Sequence, residues 1–138
     1  MKTRQSLVSN SSSTSFVVIS DKELVFPTYD ENLVVDDSFG ESEFGWGPDK
    51  YYDTGSKIVF AYLQTRCEKN EPWLKMLEEV IKEKCNVSNI TWKVDDGYID
   101  HASSAIEGEN TEIFDSKDQL INFLFSQRSL IQLDNDNH

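Results

Sequence analysis

One segment constrains this chain more than any other: residues 70–85, "NEPWLKMLEEVIKEKC". Trp73, Met76, Leu77, Val80 and Ile81 recur at three- and four-residue spacing, so a helix over 71–85 carries one continuous apolar face and a charged opposite face. Asn70 supplies a cap, and Pro72 fits the opening turn, where its missing N–H is not needed. A helix with one apolar face must be covered, so the rest of the chain has to supply a second layer.

Other periodic segments supply it. Ile58, Val59, Tyr62 and Leu63 make a shorter helical stripe, predicting a helix over 55–68. Ser116 with Gln119 is a capping box that opens a third helix over 116–126, through Leu120, Ile121, Phe123, Leu124 and Phe125. Ile90, Trp92 and Val94 alternate with Thr91 and Lys93 as in a half-buried strand, which Asp95-Asp96-Gly97 ends as a turn. Residues 16–20 read as a buried strand continuing toward Leu24-Val25-Phe26 before Pro27 interrupts it. Further strands are expected at 33–35, at an edge over 111–114 and at 130–133. Residues 28–54, rich in Asp, Glu, Gly and aromatic residues, read as an irregular acidic excursion. The expectation is a single α+β domain over residues 1–138, with about three helices on a small mixed sheet, a Ser-rich segment at 1–15 and a polar tail at 134–138.

Charge restricts the partners. The 138 residues carry a formal charge of −12, so direct binding to a nucleic-acid backbone or an anionic membrane is not expected, because both rest on Lys and Arg neutralising phosphates. A basic partner, a cation or no charged partner at all suits the charge. Residues 21–55 hold ten acids against two bases and residues 95–118 hold eight against one, whereas residues 56–94 hold seven bases and five acids. Two acidic stretches thus flank a near-neutral middle. The basic start leads into Ser and Asn without an apolar run, and no stretch approaches transmembrane length, so a cytoplasmic protein with reduced Cys67 and Cys85 is expected.

Candidate sites are few, and each has a plain structural alternative. In "SNSSSTS", residues 9–15, the hydroxyls of Ser11, Ser12, Ser13 and Ser15 could line a phosphate or substrate pocket; the alternative is a solvated leader. The run lacks the glycines and lysine of a P-loop. In "DDGYIDHASS", Asp100 and His101 could form an acid/base couple with Ser13, or with Asp96 hold a divalent cation; the alternative is a turn with a hydrogen-bonded histidine. In "FGWGPDKYYD", Trp46, Tyr51 and Tyr52 suit a binding surface, or else the rings cap the core beneath a long loop. The tail "DNDNH" has alternating oxygen donors but lacks the rest of a calcium loop. Cys67 and Cys85 have no CxxC partner, which disfavours zinc. No cofactor is predicted.

Arg4 with "VSNSSSTSF" (residues 8–16), "DGYIDHASSA" (96–105), "EIFDSKDQLINFLF" (112–125) and "DNDN" (134–137) resembles a family of uncharacterised proteins of tailed bacteriophages and some bacteria. The resemblance runs over most of the chain. It implies a phage-associated origin, with the infected bacterial cell as the setting, but no activity. Charge and resemblance together favour a non-catalytic acidic accessory protein that binds a protein partner, a basic host protein in that setting. The rival is a hydrolase, or a metal- or phosphate-binding protein, using the Ser-rich loop with Asp100 and His101.

Overall fold

The computed structural model describes residues 13–44, 49–99 and 111–135. The elements in chain order are β1 (Ser13–Val18), β2 (Asn32–Asp36), β3 (Glu43–Phe44), β4 (Asp49–Tyr51), α1 (Thr54–Glu68), α2 (Glu71–Cys85), β5 (Asn89–Lys93), β6 (Tyr98–Ile99), a 3₁₀ turn (Thr111–Phe114), α3 (Lys117–Phe125) and β7 (Leu130–Asn135). The class is α+β, as the mixture of helical and strand periods requires. β7 lies between β1 and β4 and is antiparallel to both, whereas β2 pairs with β5 and β3 with β6 in parallel.

The helix ends follow local chemistry. Asp53, in extended backbone, accepts the Ser56 N–H at 2.9 Å and caps α1. Asn70 accepts the Trp73 N–H at 3.1 Å and caps α2, and Ser116 accepts the Gln119 N–H at 3.0 Å and caps α3. Lys69 and Asn86 adopt left-handed φ values of 51° and 59° where α1 and α2 end. Only Lys69 and Asn70 separate α1 from α2.

α1 is the central element. Ser56 through Ala61 and Leu63 through Thr65 are all buried, so the helix is enclosed on nearly every side and not only along its apolar stripe. Three of its buried polar residues find partners, whereas the Gln64 amide is buried without a hydrogen bond among the described residues. The Ser56 hydroxyl accepts the Glu41 N–H at 2.8 Å, and the Thr65 hydroxyl donates to the Tyr62 carbonyl at 2.7 Å. The fully buried Lys57 ammonium donates to the carbonyls of Ser126 (2.7 Å) and Ser129 (2.9 Å). An aromatic row crosses the core: Tyr51 meets Phe44 edge-on at 5.5 Å, Phe44 meets Phe60 at 5.1 Å, and Phe60 meets Phe123 at 6.2 Å. The α2 face closes over this core with Leu77, Val80 and Ile81 fully buried and Trp73 and Met76 at its margin.

Several expectations are corrected. Residues 111–114 are not a strand edge: they wind into one 3₁₀ turn that carries the consecutive Ile113 and Phe114 both into the core. The Phe114 ring stacks on Trp73, with centroids 4.7 Å apart and planes within 4°. Leu24-Val25-Phe26 does not continue β1. Glu23 at φ 54° turns the chain, and Leu24 forms only an isolated bridge to Ser126. The acidic excursion holds three strands, of which β3 and β4 are too short to show a period. The first and last strands are both longer than their apolar cores. Ser13, Thr14 and Ser15 pair with Asn135, Asp134 and Leu133, so the polar tail begins inside β7.

The chain path also depends on one close approach. A Cβ on Gly40 would lie 2.3 Å from the Ser56 nitrogen and 2.4 Å from the Gly55 carbonyl carbon, so this crossing of two backbones admits only glycine.

Candidate functional site

The two acidic stretches meet at the ends of the parallel pair β2–β5. The Asp37 Oδ2 accepts the backbone N–H groups of Asp95 and Asp96 at 3.2 and 3.3 Å. Its Oδ1 is buried and makes no hydrogen bond among the described residues. Next to it, Asp36 Oδ1 accepts from the Ser38 N–H (3.0 Å) and hydroxyl (2.7 Å), and the Ser38 hydroxyl is the chief reason that carboxyl lies below the usual carboxylate range. Asp95 and Asp96 are exposed. Asp37 thus meets Asp95 and Asp96 from a segment almost sixty residues away.

The turn that carries them, residues 94–97, is also held by a cation through its carbonyls. Arg66, in the last turn of α1, donates through Nη1 to the Val94 carbonyl and through Nη2 to the Gly97 carbonyl at 2.7 Å. Its guanidinium also lies 5.7 Å from the Tyr62 ring centroid. Tyr62 stacks in parallel on Trp92 at 4.4 Å, and the Trp92 indole N–H donates to Glu78 at 2.8 Å. The tie therefore runs from α1 through β5 to α2. Gly97 fits because a Cβ would come within 2.6 Å of a Val94 methyl and 3.0 Å of the Ser42 carbonyl oxygen.

Two cations already stand beside these carboxylates, Lys93 opposite Asp36 in the β2–β5 register and Arg66 on the carbonyls of Val94 and Gly97. The amides of Asp95 and Asp96 are engaged by Asp37 and do not face an incoming anion, whereas the Asp95 and Asp96 side chains reach solvent. The thiols are not activated. Burial pushes Cys85 up to about 11, and burial also raises Cys67, with Glu68 adding to it. Burial likewise holds the Tyr29 phenol up at about 12, helped by Cys85 and Asp53.

The other candidates are dispersed. Ser13 and Ser15 stand on β1, paired with β7. Tyr51 is on β4 against Phe44, and Tyr52 is 49% exposed. Asp96 belongs to the turn held by Asp37. Ser11, Ser12, Trp46, Asp100 and His101 lie outside the described residues. Among the described residues, no group of three or more His, Cys, Asp or Glu side chains is placed to hold a metal ion, and no helix is long and apolar enough to cross a membrane. The sequence reading missed the roles of Arg66 and Asp37. A lone arginine in a helix and one aspartate in an acidic run carry no spacing signal; only the folded turn selects them.

No family model matches the chain, and neither a curated protein nor a solved structure matches it.

Proposed function

We propose that this chain is a non-catalytic acidic accessory protein, of phage origin, that binds a basic partner protein of the bacterial host in the cytoplasm. The observation that carries the reading is the double acceptance of the Asp95 and Asp96 amides by Asp37, which joins the two acidic stretches at one point. Such carboxylates on a chain of net charge −12 attract a basic protein at long range and orient it on approach. Arg66 contributes by holding the turn still, so little conformational entropy is lost on binding. The exposed Tyr52 ring supplies aromatic contact area of the kind found at interfaces.

The test is affinity capture from bacterial lysate with the full chain as bait, in parallel with an Asp36→Asn/Asp95→Asn/Asp96→Asn variant that leaves Asp37 in place. The expected result is a basic protein retained by the wild type, released by high salt and not retained by the variant. Capture that is the same for both baits, or no specific capture at all, would overturn the proposal.

A further inference from the structure

A second site lies where α1 passes into α2. Tyr62, Thr65, Arg66, Lys69, Asn70, Glu71 and Leu74 line an open cleft of about 280 Å³. We infer that this cleft is a binding site for a small carboxylate monoanion with a short apolar body, anchored by the Arg66 guanidinium.

The anchor is preorganised. An arginine side chain ordinarily loses rotamer freedom when it binds, but this one is already held by the Val94 and Gly97 carbonyls and by the Tyr62 ring. Two of the roughly five N–H donors of a guanidinium are used on those carbonyls, which leaves further donors for a planar acceptor. The carbonyls leave its charge in place and the side chain is exposed, so an anion entering the cleft meets a full positive charge. Lys69 adds a second positive group to the lining.

The rest of the lining selects among anions. Glu71 and the net charge of −12 oppose a dianion such as phosphate, whereas a single carboxylate meets Arg66 with less repulsion. Tyr62 and the partly buried Leu74 offer apolar contact beside the cation. The volume is at the lower end for ligand pockets, so it suits a body the size of one amino acid. The carboxylate could belong to a free acid or to the C-terminal residue of a peptide, and both present the same group.

The experiment is a ¹H–¹⁵N titration of the full chain with N-acetyl-leucine, its uncharged amide, inorganic phosphate and a tripeptide ending in leucine with a free carboxylate. The expected result is saturable shifts confined to residues 62–74 and 94–97 with N-acetyl-leucine, at least about tenfold weaker with the amide and with phosphate. A tripeptide affinity well above that of N-acetyl-leucine identifies a peptide terminus as the source, and an equal or lower one identifies the free acid. Arg66→Met should abolish the response. Should that variant unfold, Leu74→Asp, which brings a like charge into the cleft without touching the Arg66 contacts, should abolish it with the rest of the spectrum unchanged. Equal shifts from acid and amide, a preference for phosphate, an absence of saturable shifts, or a response that persists in a folded variant would overturn the inference.

Discussion

Lys57 and Ser129 are seventy-two residues apart in sequence, yet the Lys57 ammonium donates at 2.9 Å to the Ser129 carbonyl from a fully buried position. The same group binds the Ser126 carbonyl, and the Ser129 hydroxyl accepts the Ser20 N–H at 2.8 Å and donates to the Asn122 carbonyl at 2.8 Å. One buried polar node thus joins α1, the end of α3 and the segment after β1. Among the described residues no acidic group pairs with the cation directly; Asp53 at the α1 cap is the charged group that favours its protonation.

This burial makes a pH prediction. Desolvation brings Lys57 down to about 8, with Asp53 partly opposing, against an unfolded value of 10.5. Between those values the unfolded chain holds more protons at this site, so the site's contribution to stability rises with pH from about 8 and levels off above 10.5. Below about 8 both states are protonated and the penalty is constant. Cys85 and Tyr29 act the opposite way, because their folded pKa values are raised and stability falls as pH climbs above their unfolded values. Comparison with Lys57→Met cancels those two. Urea denaturation should show wild type gaining on Lys57→Met between pH 7.5 and 9.5, values spanning the lower part of that window. A difference independent of pH would show that Lys57 is not buried in the folded protein.

Leu77 lies at the centre of the α2 face and is fully buried. Leu77→Ala removes apolar contact and leaves a cavity, so a loss of about 2–5 kcal/mol is expected. Thermal melting reads it directly, and an unchanged midpoint would remove α2 from the core.

Gly40 and Gly97 should respond differently to the same substitution. At Gly40 the added Cβ meets backbone atoms of Gly55 and Ser56, which cannot turn aside. At Gly97 its nearest neighbour is a Val94 methyl, a side chain with some freedom to move. Gly40→Ala is expected to cost about 3 kcal/mol or more and Gly97→Ala about 1–3 kcal/mol. Denaturant midpoints in the reverse order would contradict the packing at the Gly40 crossing.

Hydrogen exchange tests the pairing of the two polar segments. Amides of β1 that bond to β7 should be protected from Ser13 onward, since Ser13 pairs with Asn135 and Thr14 with Asp134. Deleting residues 134–138 should release Ser13 and Thr14 while Phe16, Val17 and Val18 remain slow, because their partners Gln132, Ile131 and Leu130 are retained. Uniformly fast exchange through Ser15 in the intact chain would mean that β1 starts at its apolar residues.

Helices were the legible part of this fold. α2 spans the predicted residues 71–85, α1 begins one residue earlier than the 55–68 reading, and α3 is one residue shorter at each end than 116–126. Asn70 and Ser116 act as the caps they appear to be, because capping and 3.6-residue periodicity depend on neighbours within one turn. The alternation at 90–94 and the apolar pair Leu33 and Val35 were legible for the same local reason.

Tertiary structure decided what has no local period. β3 and β4, two and three residues long, are strands only because β6 and β7 lie beside them. Residues 111–114 turn inward because Trp73 offers a ring to Phe114. The candidate surface was legible as charge: the two acidic stretches stand out in the sequence, but their meeting does not. Asp37 reaching Asp95 and Asp96, and Arg66 holding the same turn, are hydrogen bonds between residues separated by 28 to 59 positions. Sequence determines which side chains can cap, alternate or repel, since those energies are fixed over a few residues. Long-range polar contacts depend on where the core brings the backbone, and only the packed structure settles that.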